Sequence, residues 1–401
     1  MTGGKRHVDH DPVVIASYAR TPIGSFQGSL AGLRATDLGA VAVKAAVERA
    51  RIDPGMIEQI VMGCVLAAGL GQAPARQAAF GAGLPESVEA TTINKMCGSG
   101  LQAAILAADM LAAGSADIVV AGGMESMSNA PYLLAKHRAG ARIGHDRILD
   151  SLYLDGLEDA YEPGRLMGSF ADDTARTHQI TREDQDAYAL ESLGRARAAQ
   201  DNGAFDYEIA AATVAGRSGS TLVRQDEQPQ KVDPARIPTL RPAFGPDGTV
   251  TAANASSISD GAAALVMTRA SVADRLDLPV AARVVAHAGH AQAPSEFTTA
   301  PVPAIRTVLA KAGWSPADVD FFEVNEAFAV VAMIAMRELA IPHARLNVHG
   351  GACALGHPIG ASGSRILATL LSALRTHGGR RGVASLCIGG GEAVAMAVER
   401  M

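Results

Sequence analysis

The sequence predicts an α/β protein of two similar halves with a loop-rich subdomain set between them. Three observations carry this reading. Of 401 residues, 48% are apolar and 19% charged, with 42 glycines, the profile of a compact chain with close helix packing rather than a disordered or fibrous one. The order strand, Cys- and Gly-containing loop, small-residue helix, strand, Gly-Gly occurs twice, from Thr91 to Gly123 and from Leu346 to Gly391. Between the copies, roughly Asn129 to Thr249, the composition turns to charge and turn residues.

A chain of this length suits two or three packed units, and a repeat of this kind implies right-handed crossovers in each half. The first half covers 1–128 and is completed by about 250–277, the inserted subdomain covers 129–249, and the second half covers 278–401. In the first half, Val13 to Ser17 reads as a buried strand and Asp37 to Arg51 as a helix with Ala and Val on one face and Lys44, Glu48 and Arg49 on the other. Strands follow around Ile57 to Gly63 and at Thr91 to Lys95. Gly98 to Ala113 is an Ala/Leu helix stopped by Gly114, and Asp117 to Ala121 is a further buried strand. In the second half, Pro303 to Ala312 is helical and Val319 to Val324 strand-like. Arg345 to Val348 is a short strand entering a Gly-rich loop, Gly363 to Leu374 a helix, and Val383 to Ile388 a strand. The inserted subdomain holds one clear helix, opened by the capping box Thr181-Arg182-Glu183-Asp184. Its early part gathers Lys136, His137, Arg138, Arg142, His145 and Arg147, either a solvated loop or an anion-binding or oligomer-contact region.

The formal net charge of −6 argues against a nucleic-acid partner, which calls for a basic face. It leaves room for a small polyanion held by local Arg and Lys. Four cysteines, Cys64, Cys97, Cys353 and Cys387, form no Cys-x-x-Cys pair and match no zinc spacing, so no metal is expected. They are too few for a disulfide scaffold, which fits a reducing, intracellular setting. Met1 to Pro12 is polar with no signal-like core, and no stretch approaches the roughly 18 apolar residues of a spanning helix. The expectation is a cytoplasmic protein without a membrane partner.

Four stretches carry chemistry. In Asn94-Lys95-Met96-Cys97-Gly98-Ser99-Gly100, Cys97 sits where a strand gives way to a helix. Free backbone N–H groups and the helix dipole there favour thiolate, and the flanking glycines permit close approach of a substrate. On this context alone Cys97 is either a nucleophile or a buried structural thiol. In the stretch from Asn347 to Gly363, glycines and Pro358 surround His357. The loop is rigid enough to hold a general base for a thiol, although a structural His is the other reading. Cys387 ends a buried strand before Gly389-Gly390-Gly391, where α/β folds expose sites; a core Cys is the alternative. Asn325, in Asn325-Glu326-Ala327-Phe328 after the strand ending at Val324, orients a water or a neighbouring His, or caps a helix.

Taken in order over nearly the whole chain, these stretches resemble the thiolase family: Asn-Lys-x-Cys-Gly-Ser-Gly, Asn-Glu-Ala-Phe, Gly-Gly-Ala-x-Ala-x-Gly-His-Pro-x-Gly and Cys-x-Gly-Gly-Gly. Asn254 to Ala263 also resembles the family's pantetheine-contacting region. The resemblance implies the thiolase fold, two βαβαβαββ-type halves in a layered α/β/α/β/α core plus the inserted loop subdomain. It implies coenzyme A and acyl-CoA as substrates, no permanently bound cofactor, and a homotetramer, with a dimer as the other expectation. It further implies that His357 takes the proton of Cys97, which attacks an acyl-CoA. The oxyanion is then held by the N–H groups of Cys97 and Gly389. Cys387 removes the α-proton of an incoming acetyl-CoA, and His357 with a water on Asn325 stabilises the enolate. Ser256, Leu166, Met167, Phe297, Ala327 and Phe328 are the implied CoA and substrate contacts. The implied activity is that of an acetyl-CoA C-acetyltransferase, with a broad or longer-chain 3-ketoacyl-CoA thiolase as the alternative and a non-catalytic acyl-CoA or lipid binder as a remote one.

The sequence departs from the family pattern in four places. Leu166 stands where many short-chain members have His. Phe297 aligns where some acetyl-specific members have Met. Glu392 replaces a residue that is more often apolar, and Gln230 and Lys231 occupy the region of an adenine-contacting Arg.

Overall fold

The computed structural model describes residues 11–216 and 219–401; most of the polar N-terminal run, residues 1–10, lies outside them. Among the described residues the main sheet has ten strands, and apart from the two-residue Gly24–Ser25 they build the core: β1 (Val13–Arg20), β2 (Gln59–Gly63), β3 (Glu89–Ile93), β4 (Ile118–Ser126), β5 (Ser259–Arg269), β6 (Ala282–Ala291), β7 (Phe321–Val324), β8 (Arg381–Ile388) and β9 (Glu392–Arg400). The helices that position the site are α1 (Ala35–Ala50), α2 (Pro74–Gly81), α3 (Ser99–Ala112), α4 (Met167–Thr177), α5 (Arg182–Asp201), α6 (Pro301–Ala312), α7 (Ala329–Leu339) and α8 (Ser362–Thr376). Among the described residues no helix is long and apolar enough to cross a membrane.

Strand order runs β3-β2-β4-β5-β1 in the first half and β7-β8-β9-β6 in the second. β2 is parallel to β3 and β4, while β4–β5 and β5–β1 are antiparallel. The second half repeats this, with β7 parallel to β8 and β8–β9 and β9–β6 antiparallel. The expected strand at Arg345 to Val348 is reduced to one parallel bridge, Leu346 to Phe322. A short 3-10 turn, His343–Arg345, precedes it, and Asn347 takes a left-handed φ of 48°, which breaks the extended run. With that bridge counted, both halves read β-α-β-α-β-α-β-β. They join where β1 meets β6 at Val14–Arg283 and Ile15–Ala282.

Alternation along the strands fixes the layers. Val119 and Ala121 of β4 and Leu265 and Met267 of β5 face inward, as do Leu386 and Ile388 of β8 and Met396 and Val398 of β9; all of them pack on α3 and α8. The opposite faces carry Val120, Met124, Ala264 and Val266 toward α1 and α2, and Val383, Cys387 and Ala395 toward α4, α6 and α7. The result is α/β/α/β/α, with α3 and α8 buried between the sheets. In the inserted subdomain, the capping box forms as expected: Thr181 Oγ1 accepts from the Asp184 N–H at 3.1 Å, and the Asp184 carboxylate from the Thr181 N–H at 3.2 Å.

Candidate functional site

The loops carrying Cys97 and His357 meet because α3 and α8 touch at their first turns. A Cβ on Gly100 would lie 2.6 Å from the Ser364 nitrogen, and one on Gly363 would lie 2.1 Å from the Leu101 nitrogen. A Cβ on Gly98 would strike the Ile388 side chain at 2.4 Å. The glycines beside Cys97 therefore serve helix and loop packing. The elbow itself is held by Met96 at a left-handed φ of 46°, a conformation costing roughly 1–2 kcal/mol in a residue with a Cβ. Asn94 Oδ1 accepts from the Met96 N–H at 2.9 Å, and Ser99 Oγ accepts from the Lys95 N–H at 2.9 Å while donating to the Met96 carbonyl at 2.7 Å.

Above this junction lies a cavity of about 860 Å³. Cys97, His357, Cys387 and Gly389 line it, and so do Ser256, Leu166, Met167, Phe297, Ala327 and Phe328. Asn325 does not; it stands behind His357, buried, with its Nδ2 3.5 Å from His357 Nε2. Sequence reasoning missed the cavity residues Tyr153, Leu154, Tyr161 and Phe244, which sit in the inserted subdomain outside any motif. Phe297 both lines the cavity and packs edge-on against Phe170 and Phe328, with centroids 6.4 Å apart in each pair. Phe244 meets Phe328 at 6.2 Å, so one wall is a row of aromatic rings. Leu166 faces the same space, leaving that wall apolar.

The backbone N–H groups of Gly389 and Cys97 both bear on Cys97 Sγ. The thiol is nonetheless protonated at rest, although a helix N-terminus by itself favours thiolate. Burial pushes it up to about 11, the two N–H groups pull it part of the way back, and the Glu125 carboxylate adds to the rise. Desolvation of the charged form outweighs the dipole here. Cys387 is pushed well above an ordinary thiol, by burial first and by its neighbour Cys97 second. His357 moves the other way, down to about 3, by burial and by the cation of Arg365. The resting site therefore holds two thiols and a neutral imidazole.

Its tautomer follows from the hydrogen bonds. Ser362 Oγ donates its single proton to the Pro358 carbonyl at 2.9 Å, so at 2.5 Å from His357 Nδ1 it accepts. Nδ1 carries the proton, and Nε2 presents a lone pair toward the cavity. Ser362, which sequence reasoning left unassigned, is thus the residue that makes His357 a base; its place five residues on in the same Gly-rich stretch was the available signal.

Two buried carboxylates hold the loops in place. Glu125 accepts from the N–H groups of Val65, Leu66 and Gly360 at 3.0, 3.1 and 2.9 Å, tying the His357 loop to the first half. Glu326 accepts from Tyr188 and Ser192 hydroxyls, Asn347 Nδ2 and the Cys353 N–H at 2.8–3.0 Å. Cys353 is packed in the core, as read from the sequence. Glu392, uncertain from sequence, pairs with Lys95. Of Asn254 to Ala263, residues Ala255, Ser256, Ser257 and Ile258 line the cavity, and from Ser259 onward the chain is β5.

The family model for the thiolase N-terminal domain matches residues 13–271, and that for the thiolase C-terminal domain matches 278–400. The chain belongs to the thiolase family. This thiolase is 51% identical over 402 residues to acetyl-CoA acetyltransferase 2 of Arabidopsis thaliana, covering 100% of both chains. It is 47% identical to acetyl-CoA acetyltransferase of Cupriavidus necator over 97% of this chain and 99% of the relative. Among solved structures it resembles the Acat5 thiolase from Ascaris suum in complex with coenzyme A, with a TM-score of 0.92 and 40% identity, covering 97% of this chain and 100% of that one.

Proposed function

We propose that this thiolase is an acetyl-CoA C-acetyltransferase, condensing two acetyl-CoA reversibly to acetoacetyl-CoA and CoA. The observation that carries the reading is the convergence of two thiols and one basic imidazole nitrogen on a single apolar cavity. Relatives at 46–51% identity that carry this activity in their names support the choice of acyl group.

The protonation states order the steps. His357 Nε2 takes the proton of Cys97 as the sulfur attacks the thioester carbon, and the N–H groups of Cys97 and Gly389 receive the oxyanion. One such donor is typically worth about 3 kcal/mol. The departing CoA thiolate takes its proton from Cys387, whose raised affinity for protons makes the resulting thiolate a strong base. That thiolate removes the α-proton of the second acetyl-CoA, while protonated His357, with a water on the Asn325 amide, meets the enolate oxygen. The enolate carbon attacks the acetyl group on Cys97, the C–S bond breaks, and His357 returns its proton to Cys97. Both thiols and the neutral imidazole are regenerated.

Ser256 Oγ donates to the Ala327 carbonyl at 3.0 Å, leaving its lone pairs free to accept an amide N–H of the pantetheine arm. The exposed side chains of Tyr132, Leu134, Ile143 and Ile148, set among the basic residues of the same loop, and the outward β3 edge support self-association as a homotetramer, which light scattering of the purified protein tests. The activity is tested by CoA-dependent thiolysis of acetoacetyl-CoA against longer 3-ketoacyl-CoAs. A large preference for the four-carbon substrate is expected; equal or better rates on longer chains assign a broad 3-ketoacyl-CoA thiolase instead.

A further inference from the structure

Behind His357 runs a chain of hydrogen bonds with one direction. Arg365, fully buried on α8, donates through Nη2 to Asn325 Oδ1 at 3.2 Å. This is the only hydrogen bond its guanidinium makes among the described residues, since Nε and Nη1 have no such partner and Nη1 lies 3.6 Å from the Glu323 carboxylate. Asn325 Nδ2 in turn faces His357 Nε2, His357 Nδ1 donates to Ser362 Oγ, and Ser362 Oγ to the Pro358 carbonyl. The two ends have no choice of role. A guanidinium has five donors and no acceptor, and a carbonyl oxygen accepts only. The amide of Asn325 and the imidazole between them could each be turned around; Arg365 allows only the carbonyl end of the amide to face it.

We propose that Arg365 is a positioning residue that fixes the polarity of the Asn325 amide, turning its N–H end toward His357 Nε2 and the place of the enolate oxygen. This rests on the reading of Asn325 as an enolate-stabilising group. A reversed amide would present a carbonyl oxygen to the developing negative charge and to the Nε2 lone pair. The consequence falls chiefly on the enolate half of the reaction, where negative charge develops against the amide; acylation of Cys97 shares His357 Nε2 but places its oxyanion on the N–H groups of Cys97 and Gly389.

Two half-reactions separate the possibilities: acetylation of Cys97 by acetyl-CoA, followed by intact mass, and solvent deuterium exchange into the acetyl-CoA methyl group. Arg365→Met is expected to slow exchange by roughly 10–100-fold, less than the full loss of one oxyanion donor because the amide is turned and not removed, with acetylation slowed less than about 3-fold, since loss of the Arg365 cation eases protonation of His357. In an Asn325→Ala background, Arg365→Met should add less than about 3-fold, since the two act as one unit. Asn325→Asp keeps a partner for Arg365, so it protects the fold, but has no N–H end. It should lose exchange as fully as Asn325→Ala. Effects of Arg365 and Asn325 that multiply, an Arg365→Met loss shared equally by both half-reactions, or exchange retained in Asn325→Asp would each overturn the proposal. Unaffected exchange in Asn325→Ala would overturn the underlying reading of Asn325 itself.

Discussion

The Lys95 ammonium lies 2.8 and 2.9 Å from the two carboxylate oxygens of Glu392. It ties the loop two residues before Cys97 to the first residue of β9, three residues beyond Gly389. The pair spans the two halves at the point where the Gly389 N–H meets the Cys97 sulfur. Both side chains are partly exposed, at 27% and 38%, so the contribution is modest and screened by salt. Glu392→Gln should slow acetylation of Cys97 by roughly 2- to 5-fold at low ionic strength, the range of an exposed ion pair, and the gap to wild type should close near 1 M salt. Stopped-flow acetylation at two salt concentrations checks this; a gap that ignores salt rules out the ion pair as its cause.

Cys97 and Cys387 share one cavity but take different parts. Cys97→Ala should abolish both condensation and thiolysis and end covalent labelling by acetyl-CoA, a loss of several orders of magnitude for a removed nucleophile. Cys387→Ala should still label at Cys97 yet fail to condense. Near-normal condensation by Cys387→Ala would remove its assignment as the base.

The reactivity of Cys97 in the substrate-free protein should climb steeply with pH. With its thiol pushed up to about 11, the thiolate fraction rises about tenfold for each pH step between 8 and 10, whereas a free cysteine near 8.5 would level off above pH 9. Iodoacetamide labelling of the Cys97 peptide, read by mass spectrometry, distinguishes the two curves. An early plateau would mean that the helix end and the N–H groups outweigh burial after all.

Gly168 faces the Phe244 ring, where an added Cβ would meet three ring atoms at 2.1–2.3 Å. Gly168→Ala should displace Phe244 from the aromatic wall, cost about 1–3 kcal/mol as overpacking of this kind does, and raise the KM for acetyl-CoA more than it lowers kcat. Thermal melts together with steady-state kinetics test it; unchanged KM would place the wall away from the bound acyl-CoA.

Ser362→Ala should leave the His357 Nδ1 proton without its acceptor, freeing the ring to take either tautomer. Acetylation and deuterium exchange should both fall, by roughly 10-fold or more each if the wrong tautomer dominates, since both half-reactions use Nε2. A pH–rate profile shifted from wild type, with the fold intact by circular dichroism, is the expected signature. An unaltered profile would assign the Ser362 hydroxyl to packing alone.

What lies in contiguous stretches is legible in the sequence: many of the strands and helices of both halves, though not α2, α7, β5, β6 or β9, the helix stop at Gly114, the capping box at Thr181, and the loops carrying Cys97, His357, Asn325 and Cys387. These are local properties, set by periodicity, caps and turn chemistry within a few residues. The strand read at Arg345 to Val348 shrank to one bridge because the left-handed turn at Asn347 and Gly350 overrode its extended propensity. The rest depends on packing between segments far apart in the chain. Glu125 reaches Gly360 across 235 positions and Lys95 reaches Glu392 across 297, and no spacing rule selects those carboxylates from the chain's 41 acidic residues. The cavity wall of Tyr153, Tyr161 and Phe244 depends on where an irregular subdomain docks. The same holds for charge state at Cys97: the sequence showed a helix end that favours thiolate, but how deeply the sulfur is buried is a property of packing, and burial weighed more than the dipole.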